Sequence, residues 1–201
     1  MKNNRETTYR LVLLALLTAI VILLQVLGTY IRFGTYSVSL VLVPIVVGAA
    51  LLKSPLAGAW LGFVFGVVVL FSPDAAWFMS INPPWSVAWT FVIILGRGIL
   101  AGFAAGWAYK LLANKTKTGG AVAASMAAPI VNTGLFILGL FAFFLPTIQG
   151  IADYAGATSV VAHVFLGMVG LNFVFELALN LVLCPVIVRV VQYGEKKTFA
   201  G

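Results

Sequence analysis

The stretch SVAWTFVIILGRGILAGFAAGWAYKL, residues 86–111, carries one charge between Ser86 and Tyr109, the arginine at 97. Everything else there is apolar, aromatic, small or a lone hydroxyl. A bilayer crossing needs about 20 mostly apolar residues, so this stretch reads as a transmembrane helix with a cation inside it. The rest of the chain has the same character. It is 62% hydrophobic and 8% charged, where a soluble domain carries about a quarter charged residues. These values describe an integral membrane protein.

On the same ruler the 201 residues form one all-α transmembrane domain of six helices, expected at 9–29, 36–53, 55–72, 86–111, 119–145 and 159–191. Lys53, Ser54 and Pro55 mark a tight turn, so the second and third helices form an antiparallel hairpin. Asn114 to Gly120 is a polar connector. Ser72 to Trp85 and Pro146 to Ser159 are too irregular to span. The first apolar run, Leu11 to Leu27, is longer than the core of a signal peptide and lacks a cleavage site.

Lysine and arginine cluster in cytoplasmic loops. In the six-helix arrangement Lys2, Arg5, Arg10, Lys53, Lys110, Lys115, Lys117, Arg189, Lys196 and Lys197 share one side, which places both termini in the cytoplasm. Asp74 and Asp153 fall opposite, with Arg32 the exposed basic exception. The net charge of +7 therefore concerns topology. The basic residues build no single face with stacking aromatics, so nucleic acid is not an expected partner. Cys184 is a lone cysteine beside Pro185 and His163 has no ligand partner at a useful spacing, so no disulfide, metal or cofactor is implied.

Gly58, Gly62 and Gly66, and again Gly98, Gly102 and Gly106, form ridges one helical turn apart that let helix backbones approach closely. Arg97 lies about eleven residues into its helix, near the bilayer midplane, too deep to snorkel. Asn132 lies at a similar depth on the next helix. Asn172, Glu176 and Asn180 follow at i, i+4, i+8 on one face of the last. One reading of this polar focus is a buried Arg97–Glu176 pair that fixes helix register. The other is a site for a small anionic solute, with Arg97 forking a carboxylate and Asn132, Asn172 and Glu176 bonding amides and hydroxyls. Glu176 either holds Arg97 until the solute arrives or accepts from a solute hydroxyl. Trp60 and Trp89 are candidate stacking residues beside the site, whereas Trp77, Trp85 and Trp107 fit an interfacial belt. The segment ending in Asn82, Pro83, Pro84 and Trp85 is either a lid or a static cover.

No nucleophile elbow, zinc-protease motif, paired-aspartate cluster or phosphate-binding loop is present, so an enzyme is not expected. Uphill transport would draw on partner subunits or an ion gradient.

About 200 residues, six apolar segments, the ALLTA of Ala15 to Ala19, the Lys53–Pro55 hairpin and the polar focus together resemble the substrate-binding S component of an energy-coupling factor (ECF) vitamin transporter. The resemblance implies a bacterial cell-membrane protein that binds a micronutrient from outside. It also implies as partners a transmembrane T component, which Ala15 and Ala19 would contact, and two cytoplasmic ATPases. Among vitamins, pantothenate, with one carboxylate, an amide and two hydroxyls, matches the polar set first; biotin, folate, pyridoxine and hydroxymethylpyrimidine come after it. The other classes are a proton-coupled secondary transporter working through Glu176 and a membrane scaffold in which the polar residues only cross-link helices.

Overall fold

The computed structural model describes the backbone of residues 2–30, 32–33, 36–37 and 40–199, and side chains over 4–30 and 40–193. The side chains of Lys2, Arg32, Tyr36, Lys196 and Lys197 lie outside the described residues. The fold is overwhelmingly helical. α1 (Lys2–Gly28) leads to two strands of two residues each, β1 (Arg32–Phe33) and β2 (Tyr36–Ser37), paired antiparallel with Arg32 opposite Ser37. Next come α2 (Leu42–Leu51), α3 (Pro55–Leu70), α4 (Pro73–Ile81), α5 (Ser86–Ala113), α6 (Lys117–Phe143) and α7 (Leu145–Tyr154). A short α8 (Val160–Ala162) runs through a π-helical stretch, His163–Val169, into α9 (Gly170–Phe199).

Among the described residues, Asn4–Gly28, Ser86–Ala113, Lys117–Phe143 and Val160–Tyr193 are each long and apolar enough to cross a bilayer. α3 and α4, bent by 64° at their break, make a fifth if taken as one span. The expected helix over 36–53 is corrected to Leu42–Leu51. Its ten residues rise about 15 Å, half a hydrocarbon core. Leu42 to Ala50 are all buried, and the helix packs against α1, α3, α5, α6 and α9. A helix that is apolar on every side is one surrounded on every side, and α2 is the hub of the bundle.

The segments expected to be irregular, 72–85 and 146–159, contain α4 and α7 instead, both too short to span. α4 starts where Ser72 accepts from the amide of Ala75 at 3.2 Å with Pro73 in the first turn. The two short helices are fastened to each other. Asn82 donates to the Phe78 carbonyl and accepts from the Thr147 hydroxyl, both at 2.6 Å, and Phe78 meets Phe144 edge-on at 4.9 Å.

The hairpin turn reflects its residues. Lys53 takes the left-handed φ of 49° that ends α2, and Ser54 accepts from the amide of Ala57 to cap α3. Arg10 reaches from α1 to donate to the Leu52 carbonyl at 2.6 Å, a cation at a helix C-terminus. The two glycine ridges face each other. A Cβ on Gly62 would collide with the carbonyl of Gly98 and the reverse, and Gly58 stands in the same relation to Gly102. α3 and α5 therefore touch backbone to backbone, and this contact sets the position of the side chains just above it.

Candidate functional site

Above the glycine contact α5 presents Arg97, and α3 presents Phe65, whose ring lies 3.2 Å from where a Cβ on Gly98 would be. The Arg97 guanidinium carbon sits 4.7 Å from the centre of the Phe136 ring, on α6, and 6.0 Å from that of Phe65. A cation over two aromatic rings is attracted by both. Its Nε is buried with no hydrogen-bond partner. Asn132, four residues before Phe136 and 6% exposed, likewise has a buried Oδ1 that accepts nothing. Buried polar atoms are almost always satisfied, so an unmatched donor and an unmatched acceptor lining one cavity make it a candidate site for a polar solute or water.

Both residues line a cavity of about 160 Å³, on the order of ten times the space one water requires. Asn172 and Glu176 of α9 and Thr133 of α6 complete its polar depth. Glu176 is buried and lines the same cavity as Arg97. The residues of α9 arrive there through the π-helical stretch. Its i→i+5 bonding shifts the register of α9, and Met168 and Val169 of that stretch also line the cavity.

Higher up the wall becomes apolar and aromatic, with Val69, Ile93, Ile94, Leu140, Phe144 and Phe173. Ser72, Asp74, Trp77 and Phe78 contribute from the α3–α4 break and α4. Counting from Ser86, Thr90 lies seven residues before Arg97 along α5, about 10 Å nearer the end that carries α4 and α7. The cavity therefore runs from that end to roughly mid-depth. The turns holding Lys53 and Lys115 lie at the other end of the bundle, because α2 and α3, and α5 and α6, are consecutive antiparallel helices joined there.

The structure brings Arg97, Asn132, Asn172 and Glu176 to one cavity and leaves Trp60 and Trp89 outside its lining. Trp60 is 47% exposed and donates through Nε1 to the Thr18 hydroxyl at 3.2 Å. Trp89 is 39% exposed and stacks on Phe143 with centroids 4.0 Å apart. Neither of these two tryptophans, expected as substrate-binding residues, lines the cavity, and the rings nearest Arg97 are phenylalanines. Trp77, expected in the belt, lines the mouth while half-exposed. Asn180 points elsewhere too. It donates to the Glu176 carbonyl at 2.8 Å and accepts from the Cys184 thiol at 3.3 Å, a packing role in the core.

Gln25 is an unexpected member of the site. It is buried and lines the cavity from α1. An amide alone in the apolar run from Leu11 to Leu27 is the same kind of signal as the arginine at 97. Elsewhere on α1, Ala15 and Ala19 are exposed together with Leu11 and Leu16.

Among known proteins, the model of the family described as ECF transporter, substrate-specific component, matches residues 9–188. Comparisons with curated proteins and with solved structures gave no match. With nearly the whole length covered by the family model and an internal cavity walled by its helices, the chain belongs to the substrate-specific components of ECF transporters, membrane subunits that bind the solute to be imported.

Proposed function

We propose that this subunit binds a small anionic vitamin or cofactor precursor from outside the bacterial cell, with pantothenate the first choice, through Arg97, Asn132, Asn172 and Glu176. The unmatched Arg97 Nε and Asn132 Oδ1, facing one cavity, carry the reading. A helix cross-link would have satisfied its own donors and acceptors, which favours a binding site over the scaffold. The guanidinium sits over the Phe136 and Phe65 rings and lines the cavity, and its planar fork of donors suits a carboxylate.

Uptake then depends on partners: a transmembrane T component and two cytoplasmic ATPases, whose ATP hydrolysis supplies the work this chain has no motif to supply. Ala15 and Ala19 lie on an uncovered face of α1, and their small side chains allow a close, reversible docking surface. A sixth crossing includes α2, whose ten residues are too few to span alone. The end holding Arg10, Lys53, Lys110 and Lys115 is cytoplasmic by the positive-inside rule, with both termini there and the cavity open to the outside.

The test is mass spectrometry of small molecules released from wild-type protein and Arg97→Ala purified in mild detergent. Wild type should release one carboxylate-bearing compound that Arg97→Ala has lost. The proposal fails if neither retains a compound and none of pantothenate, biotin, folate, pyridoxine or hydroxymethylpyrimidine binds. Docking is tested separately. Ala15→Trp or Ala19→Trp should abolish uptake in cells while purified protein still binds. Uptake by this subunit alone, collapsed by an uncoupler, would replace the ATP-driven reading with proton coupling.

A further inference from the structure

We infer that the π-helical stretch His163–Val169, closed by Gly170, is the positioning element of the cavity: it sets Asn172 and Glu176 on the side of the last helix that also carries Val164 and Met168, so that one helix supplies both polar depth and apolar wall. The inference rests on the proposed ligand-binding role and adds to it residues outside the polar set.

The first support is angular. Val164 is fully buried in one cluster with Leu140 and Phe144, and Glu176, also buried, lines the cavity that those two residues line. A regular α-helix turns by about 100° per residue, so over the twelve residues from Val164 to Glu176 it would end about 120° round the axis. Glu176 would then leave the side that Val164 buries. A turn with i→i+5 bonding takes up one residue more than an α-turn, a lag of about 100° that returns Glu176 to within roughly 20° of Val164. Asn172, one turn before Glu176, follows it.

The second support is Gly170. A Cβ there would collide with the carbonyl oxygen of Phe165, five residues back, the pair that π bonding brings together. The obstacle is backbone, so no side chain can turn aside, and glycine is what lets the stretch close at this point. The third support is that the helix is held on both sides of the stretch. Val164 and Met168 are buried before it ends, and Asn180, Cys184 and Val188 are buried beyond it, within one continuous span, Val160–Tyr193. With both parts held, a helix lacking the extra residue must turn one pair out of the cavity, either Asn172 and Glu176 or Met168 and Val169.

Thiol labelling, melting and titration of the full-length protein test this. Deleting Leu166, which is 77% exposed, removes the extra residue without taking a side chain from the core. Met168→Cys and Asn172→Cys each place a thiol in the cavity lining, and the buried Cys184 leaves the background silent. Both introduced thiols should react with a water-soluble methanethiosulfonate in the otherwise unchanged chain, and one of the two should stop reacting once Leu166 is deleted. Gly170→Ala should lower the melting temperature by at least about 2 °C in the full-length chain. After the deletion it should lower it no further, because an α-helical backbone accepts the Cβ. Pantothenate, or the compound wild type retains if that is another, should bind the deletion variant at least about tenfold more weakly, the size of one lost hydrogen bond to a charged group.

Two reactive thiols after the deletion, unchanged affinity, or a Gly170→Ala loss that persists in the shortened chain overturns the inference and leaves the ligand-binding reading standing. If the shortened chain does not fold, the same labelling in Gly170→Ala decides: one silent thiol supports the inference and two reactive thiols overturn it. If labelling and melting come out as expected but wild type binds no compound, the ligand-binding reading falls and takes the positioning role with it.

Discussion

Alanine at Gly62 or Gly98 should loosen the bundle at its tightest point. Each new Cβ would meet the carbonyl oxygen of the glycine opposite, well inside the 3.0 Å below which real Cβ contacts essentially never fall. The obstacle is backbone on both sides, so no side chain can turn away and α3 and α5 have to part. Overpacking of this kind costs about 1–3 kcal/mol, which for a chain of this length corresponds to roughly 2–12 °C in melting temperature. The same two helices supply internal controls. At Gly66 a Cβ would lie 3.1 Å from the Ile94 carbonyl oxygen, so a shift of a few tenths of an ångström suffices and the loss should be smaller. At Gly96, beside Arg97, a Cβ meets nothing within 4 Å, and alanine should be neutral or slightly stabilising. The Gly62→Ala/Gly98→Ala double variant should lose less than the sum of the singles, because helices parted once need not part again. Thermal unfolding of purified protein in detergent, tracked by tryptophan fluorescence, gives all five values. Should Gly62→Ala and Gly98→Ala melt with Gly96→Ala, close backbone contact is not what holds α3 on α5.

Arg10→Ala removes the donor to the Leu52 carbonyl at the end of α2 and should cost about 1 kcal/mol, with faster amide exchange in the last turn of α2 as its local signature. Lys53→Gly relieves a left-handed φ of 49° and should stabilise by about 0.5–1 kcal/mol after the larger entropy of the unfolded glycine is set against it, measured by the same melts. Trp60→Phe and Trp89→Phe lie outside the cavity lining and should leave ligand affinity within about twofold; a tenfold loss on titration would return these rings to the site.

Much of the site is legible in the sequence because charge inside a membrane is costly wherever it occurs. Arg97, Asn132, Asn172 and Glu176 stand out for that reason, and the i, i+4 spacing of the last two survives the π-helical stretch because that stretch ends before them. Gln25 carries the same signal more faintly, as a single amide in a long apolar run. Trp60 and Trp89 lie outside the cavity lining, and sequence could not place them because an aromatic ring is at home in lipid, in protein and at the interface alike. The glycine ridges are legible as packing but not as partners of each other, since sequence spacing gives a stripe and not the helix it meets. Residues 36–53 read as one apolar stretch, and hydropathy has no marker for a helix that starts at Leu42. α4 and α7 are hidden by the prolines around them, although Ser72 before Pro73 is itself a helix-start signal.

The cavity below α4 should hold the solute with its anionic group on Arg97, and the most direct test is an experimental structure of the protein bound to the compound it retains. Density is expected in the cavity beside the Arg97 guanidinium, with an oxyanion at Arg97 Nε and a donor at Asn132 Oδ1. Density elsewhere in the bundle, or a compound resting against Trp60 or Trp89 with Arg97 untouched, would contradict this assignment.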